Sequence, residues 1–120
     1  MMVPMNEEFQ QKVKALPIRQ QVGLYTILSE FLGEKETLFS TADFASKAQR
    51  YFLADDVEGM GNILGGILSS LVRNGMVERV AGGGKQESVW CLAPELHRNA
   101  KRYKQLIFPV YTYWEGKKKS

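Results

Sequence analysis

The stretch ILSSLVRNGMVERVAGGGKQESVWCLA, residues 67–93, changes rhythm twice. Its first part continues a pattern in which Ile63, Leu64, Ile67, Leu68, Leu71 and Val72 supply apolar pairs every four positions, the spacing of one face of an amphipathic helix. Gly75 follows Asn74 where a left-handed residue stops a helix without steric cost. Met76, Val77 and Val80 then enter a strand, AGGGKQ supplies a flexible tip, and SVWCLA is a second strand of apolar and β-branched residues. The stretch therefore predicts a helix, a sharp stop and a glycine-tipped hairpin in immediate succession.

Working back toward the N-terminus, Asn6 is a helix cap with Glu7 and Glu8 in the first turn, and Phe9, Val13 and Leu16 share a face. Pro17 fits the first position of a second helix, in which Ile18, Val22, Tyr25, Leu28 and Leu32 form one stripe and which Gly33 ends. KETLFST is a short β-tolerant run. Ser40 with Asp43 three residues on is a capping signal for a helix over 41–51 that buries Phe44, Ala45 and Ala48. Beyond the hairpin, Pro94 opens a last helix to about Leu106, with Ala100, Tyr103 and Leu106 inward and His97, Arg98, Lys101, Arg102 and Lys104 outward. Pro109 is expected to end that helix, leaving VYTYWEG as an aromatic segment in need of a surface.

These elements predict a mainly α protein with a small β-hairpin, an α+β chain. At 120 residues there is room for one core, divided into a helical extension over 1–16, a core over 17–94 and a basic helix with an aromatic and lysine tail over 95–120. Hydrophobic residues make up 44% and charged residues 24%, ordinary for a folded domain. No apolar run approaches the roughly 20 residues of a membrane span, and the N-terminus lacks the basic-then-apolar pattern of a secretory signal. A cytoplasmic location and no membrane partner are therefore expected. The single Cys91 has no intrachain disulfide partner and is expected in the core, and one histidine beside it makes no zinc set.

Charge is uneven. Residues 1–70 carry six basic and nine acidic side chains, residues 71–120 ten and four, so the second half is +6 and the first −3. A basic half suits a polyanionic partner, and a solvated face with a Lys117-Lys118-Lys119 tail produces the same count.

Over Pro17 to Pro94 the order helix, short strand, helix, helix, hairpin resembles the winged helix-turn-helix family, most specifically in the leucine spacing into a glycine stop and a charged strand: Leu68, Leu71, Gly75, Met76, Val77, Glu78 and Arg79. The resemblance implies a winged helix-turn-helix with additional N- and C-terminal helices, acting as a sequence-specific double-stranded DNA-binding protein and small transcriptional regulator. It also implies a homodimer formed through the terminal helices.

Physical fit points to the same arrangement, because a helix of this width enters the major groove and a hairpin beside it reaches an adjacent groove or backbone. With Leu64, Ile67, Leu68 and Leu71 inward, Asn62, Gly66, Ser69, Ser70 and Arg73 fall near the open face. Asn62, Ser69 and Ser70 are candidate base readers, and Arg73, Arg79 and Lys85 candidate phosphate contacts. Gly82, Gly83 and Gly84 would let the tip approach phosphates, although any hairpin needs glycines to turn.

Two features oppose a simple DNA reader. Asp55, Asp56 and Glu58 precede the third core helix and would repel phosphates, and Gly65-Gly66 in mid-helix costs roughly 1 kcal/mol per glycine relative to alanine. Close approach of another backbone, or a locally mobile helix, would account for the glycines. Phe108, Tyr111, Tyr113 and Trp114 are read either as interface anchors or as residues packed back onto the first helix; beside the basic face they could also stack single-stranded nucleic acid.

No catalytic constellation stands out. His97 and Cys91 lie on separate elements, and Lys85-Gln86 lacks the earlier glycine and following hydroxyl of a phosphate-binding loop. No enzyme activity, cofactor or metal is expected. The competing class is a protein-interaction module in which the glycine-bearing helix face or the aromatic tail holds a protein partner.

Overall fold

The computed structural model describes residues 6–52 and 60–119, the side chains of 60–63, 118 and 119 excepted. Asp55, Asp56 and Glu58 lie outside the described residues, as does the Asn62 side chain. The chain is mostly helical with a small three-stranded antiparallel sheet, an α+β fold. The order is α1 (Glu7–Ala15), α2 (Ile18–Glu30), β1 (Leu38–Ser40), α3 (Thr41–Ala48), α4 (Met60–Arg73), β2 (Val77–Gly83), β3 (Gln86–Leu92), α5 (Pro94–Arg98) and α6 (Ala100–Lys119). No helix among the described residues is long and apolar enough to cross a membrane.

Local chemistry sets most boundaries. Asn6 caps α1 by accepting from the Phe9 N–H, and Ser40 caps α3 by accepting from the Asp43 N–H at 3.0 Å. At the end of α4, the Met76 N–H donates to the Leu71 carbonyl and the Gly75 N–H to Val72, with Gly75 at φ +74°. These are the paired bonds of a Schellman stop, and buried Met76 and Leu71 supply its apolar contact.

Other boundaries differ from expectation. The second helix ends at Glu30 with Phe31 as its cap, three residues before Gly33, and Phe31 stacks on Phe39 at 5.2 Å between centroids. The third stops at Ala48, so Tyr51 and Phe52 lie beyond it, where Phe52 is buried. Ala45 is half-buried, as is Leu106.

Pro109 does not end the last helix. α5 breaks at Asn99, and α6 then runs from Ala100 through exposed Pro109 to Lys119. A proline inside a helix removes one hydrogen bond at a cost of about 3 kcal/mol, which packing must offset. Here Ile107 on one side of it and Trp114 on the other are both buried.

The core is built around α2, which packs against both α6 and α4, and Phe44 of α3 and Phe39 of β1 belong to the same buried cluster. Gly23 of α2 admits the neighbouring helix: an added Cβ would come within 2.7 Å of the Ile67 side chain. The sheet runs β1-β3-β2, with Leu38, Phe39 and Ser40 opposite Cys91, Trp90 and Val89. Cys91 therefore sits mid-sheet on the row of Leu38 and Glu78, opposite in facing to buried Leu92, and is half-buried instead of in the core. Burial and the Glu36 and Glu78 carboxylates push its thiol pKa up, the direction opposite to an activated nucleophile. Val80 is likewise exposed, its strand irregular on either side of Ala81.

Candidate nucleic-acid interface

The outward stripe of α4 follows from helical geometry. Leu64, Ile67, Leu68 and Leu71 are buried, and with 3.6 residues per turn the opposite stripe is Gly66, Ser69 and Arg73. All three are exposed, and Ser70 is half-buried on the shoulder facing the start of α2. Gly65, on the other shoulder, and Gly66 are open: a Cβ at either meets nothing within 4 Å among the described residues. Packing within the described chain thus gives no reason for the glycine pair.

The hairpin is fixed to the rest of the molecule by its β3 side. The Ala42 N–H in the first turn of α3 donates to the Glu87 carboxylate at 2.7 Å, and the Trp90 indole N–H donates to Thr41 Oγ1 at 2.9 Å. An acidic group at a helix N-terminus also meets the positive end of the helix dipole. Glu87 and Trp90 therefore tie the hairpin to the helix preceding α4, a role the β-strand pattern of their segment did not disclose.

At the tip, Gly83 pairs with Gln86 and leaves Gly84-Lys85 as a two-residue turn. Gly84 at φ +62° occupies the first central position, where a type II′ turn requires a positive φ. Gly82 (φ +82°) and Gly83 (φ +114°) precede it, and a Cβ on Gly82 would collide with the Glu87 backbone. The Arg79 guanidinium lies along the Gly83 backbone, with Nη1 3.1 Å from where a Cβ would be. Arg79 and Lys85 are thus carried on one hairpin, exposed, and neither they nor Arg73 makes an ion pair with a described residue.

Of the sequence-predicted residues, Gly66, Ser70 and Arg73 come together along one cleft and Ser69 stands beside them on the stripe. Arg79 and Lys85 form the separate hairpin group. Sequence reading missed that Arg19 and Gln20, at the start of α2, border the same cleft. No sequence signal pointed to them, since the apolar stripe placed neighbouring Ile18 inward whereas it is 39% exposed.

The terminal region is built differently. The Trp114 indole N–H donates to the Tyr51 carbonyl at 2.6 Å, and its ring meets Phe52 edge-on at 5.8 Å. Tyr111 stacks on Tyr25 at 4.3 Å. Trp114 and Tyr111 therefore pack within the same chain, on α2 and the segment after α3 rather than on the first helix, and are not exposed interface anchors. Phe108 and Tyr113 remain outward, 54% and 57% exposed. His97 also departs from its outward placement, since its Nε2 lies 2.7 Å from the Gly33 carbonyl and ties α5 to the loop before β1.

Among the described residues no group of three or more histidine, cysteine or acidic side chains could hold a metal ion. No family model, curated protein or solved structure matches the chain.

Proposed function

We propose that the protein is a winged helix-turn-helix, sequence-specific double-stranded DNA-binding protein, serving as a small transcriptional regulator, with α4 in the major groove and the β2–β3 tip on the backbone or minor groove. One observation carries this reading: the exposed Gly66, Ser69 and Arg73 stripe stands on a helix followed at once by a hairpin bearing exposed Arg79 and Lys85. Neither group has a salt-bridge partner in the described chain, and both are basic or polar, as phosphate and base-edge contacts require. The α2, α3, α4 and hairpin order supports the same family reading. Arg73, Arg79 and Lys85 take phosphates, and Asn62, Ser69 and Ser70 read bases. A homodimer would form through the outer face of α6, where Phe108 and Tyr113 are exposed.

Fluorescence anisotropy on mixed-sequence duplex DNA over a salt series tests the reading. Binding is expected near micromolar at low salt and should fall linearly on a log-log plot. Arg79→Ala and Lys85→Ala should each lower the slope by about 1. Ser69→Glu should leave the fold intact and abolish binding by placing a carboxylate against phosphate. A folded protein without affinity at low salt would overturn the reading. The competing protein-interaction module draws on exposed Phe108 and Tyr113, and an interface anchored by those rings would respond little to salt.

A further inference from the structure

We propose that Tyr51 and Tyr111 form an oxidative modification site, where a diffusible one-electron oxidant such as a peroxyl or nitrogen dioxide radical joins their rings by a carbon–carbon bond. The bond would tie the segment after α3 to α6.

Three half-buried tyrosines from separate parts of the chain meet here. Between centroids, Tyr111 of α6 lies 5.8 Å from Tyr51 and 4.3 Å from Tyr25 of α2, and Tyr25 and Tyr51 are 6.3 Å apart. Rings in such proximity share an oxidation, and the electron is lost for good where the phenolic proton can leave with it. Two of the three have an acceptor in place. The Tyr51 hydroxyl donates to Glu30 at 2.9 Å, and the Tyr111 hydroxyl is hydrogen-bonded to Glu115, one turn further along α6. The Arg50 guanidinium lies 3.9 Å from the same Glu30 oxygen and helps to hold it. Tyr25 has neither advantage. No carboxylate accepts from its hydroxyl among the described residues, and Lys104 Nζ stands over its ring at 5.5 Å, where a cation makes the ring's electrons harder to remove.

Geometry favours the same pair. Tyr51 and Tyr111 are inclined by 52°, and a ring-to-ring bond joins edges with the planes inclined; Tyr25 and Tyr111 are stacked face to face at 12°. The Trp114 indole N–H donates to the Tyr51 carbonyl at 2.6 Å, so α6 itself holds the residue that Tyr111 would join.

Each ring gives one electron to the oxidant and its phenolic proton to its carboxylate. The two radicals pair in a bond between carbons ortho to the hydroxyls. The hydrogen on each joined carbon then moves to the oxygen of its own ring, restoring two phenols. Two electrons and two protons leave in all, and two oxidant molecules are each reduced by one electron.

The test treats the full-length protein, dilute and without DNA, with tris(bipyridine)ruthenium(III), which accepts one electron per ion. The expected product is a monomer lighter by two hydrogen atoms, with dityrosine emission and a Tyr51–Tyr111 link mapped by peptide mass spectrometry. Tyr51→Phe and Tyr111→Phe should each abolish that link, whereas Tyr25→Phe should keep most of its yield. Glu115→Gln, whose amide does not take the proton, should lower the yield about ten-fold. Circular dichroism checks the fold of each variant, and the link in the unaltered protein is read without any substitution. A link mapped to Tyr25, dimers joined through exposed Tyr113 with no internal link, absence of dityrosine, or full yield in Glu115→Gln would overturn the proposal. None of these readouts involves a duplex, so the proposal stands or falls apart from the DNA reading.

Discussion

The α2–α6 side of this molecule and the outward stripe of α4 with the basic residues of the hairpin use their polar groups in opposite ways. On the first side, the Glu95 carboxylate accepts from both the Asn6 N–H and the Tyr103 hydroxyl, Tyr51 donates to Glu30, and Trp114 donates to the Tyr51 carbonyl. On the second, Ser69, Arg73, Arg79 and Lys85 stand exposed without a hydrogen bond or ion pair of their side chains inside the described chain. Polar groups that close on one another add to stability; groups that face water add little until something else arrives. The proposed reading turns this contrast into a division between contact on the α4–hairpin side and structural support on the other, and substitutions can break it at either end.

The largest effect belongs to Trp114. Its ring is 6% exposed, meets Phe52 edge-on and donates to Tyr51, so Trp114→Ala leaves a cavity and an unmade hydrogen bond. A loss of about 3–5 kcal/mol in urea unfolding is expected. Because these contacts lie within one chain, the loss should be the same at low and high protein concentration. A midpoint that moves with concentration would place Trp114 at a subunit interface instead and erase the distinction between the two sides.

That residue also marks where sequence stopped being legible. Elements governed by their own neighbours were readable: Asn6 and Ser40 cap with side chains three residues from their targets, and Gly75 completes a stop that needs only α4 and Met76. The α4 stripe was readable for the same reason, as a periodicity with one side buried. What failed depended on distant partners. Pro109 was read as a terminator because its ring and missing N–H are local facts, whereas burial of Ile107 and Trp114 by other elements is not. Cys91 looked like core because β3 is apolar throughout; its facing was decided by pairing with β1, 51 residues or more upstream. The cleft escaped notice because Gln20 and Arg73 are brought together only by helix packing.

The second effect is a pH response confined to the supporting side. Burial, followed by the hydrogen bond to Glu30, pushes the Tyr51 pKa from 10.0 up to about 12. Burial and the Glu95 carboxylate push Tyr103 up, and burial with the Glu115 carboxylate does the same for Tyr111. A hydroxyl whose folded pKa is raised binds its proton more tightly in the native state. Its stabilisation is therefore complete below pH 10, where both states are neutral, and declines as pH rises from 10 toward the folded value. Melting followed by circular dichroism should show little contribution from these tyrosines up to pH 10 and a fall above it. Tyr51→Phe should remove roughly 1 kcal/mol or less of that fall by pH 11, after allowance for partial solvation. An identical alkaline limb in Tyr51→Phe would show that Tyr51 ionises as freely folded as unfolded.

The smallest effect lies on the contact side and is stabilising. Gly65 and Gly66 sit inside α4 with open space where a Cβ would project, so alanine at either position gains helix propensity without a clash. Gly65→Ala and Gly66→Ala should each raise stability by about 0.5–1 kcal/mol. No packing among the described residues calls for the glycine pair, which leaves close approach of a duplex and a helix that flexes as the two reasons to separate. The two positions separate the reasons. Gly66 belongs to the stripe with Ser69 and Arg73, whereas Gly65 lies on a shoulder. If close approach of a duplex explains the glycines, Gly66→Ala should weaken anisotropy-measured binding several-fold and Gly65→Ala should not. Equal loss from both would mean that α4 must flex to bind, because the two alanines share only their stiffening of the helix. Unchanged binding in both would remove α4 from the contact surface, leaving the hairpin alone to account for any affinity.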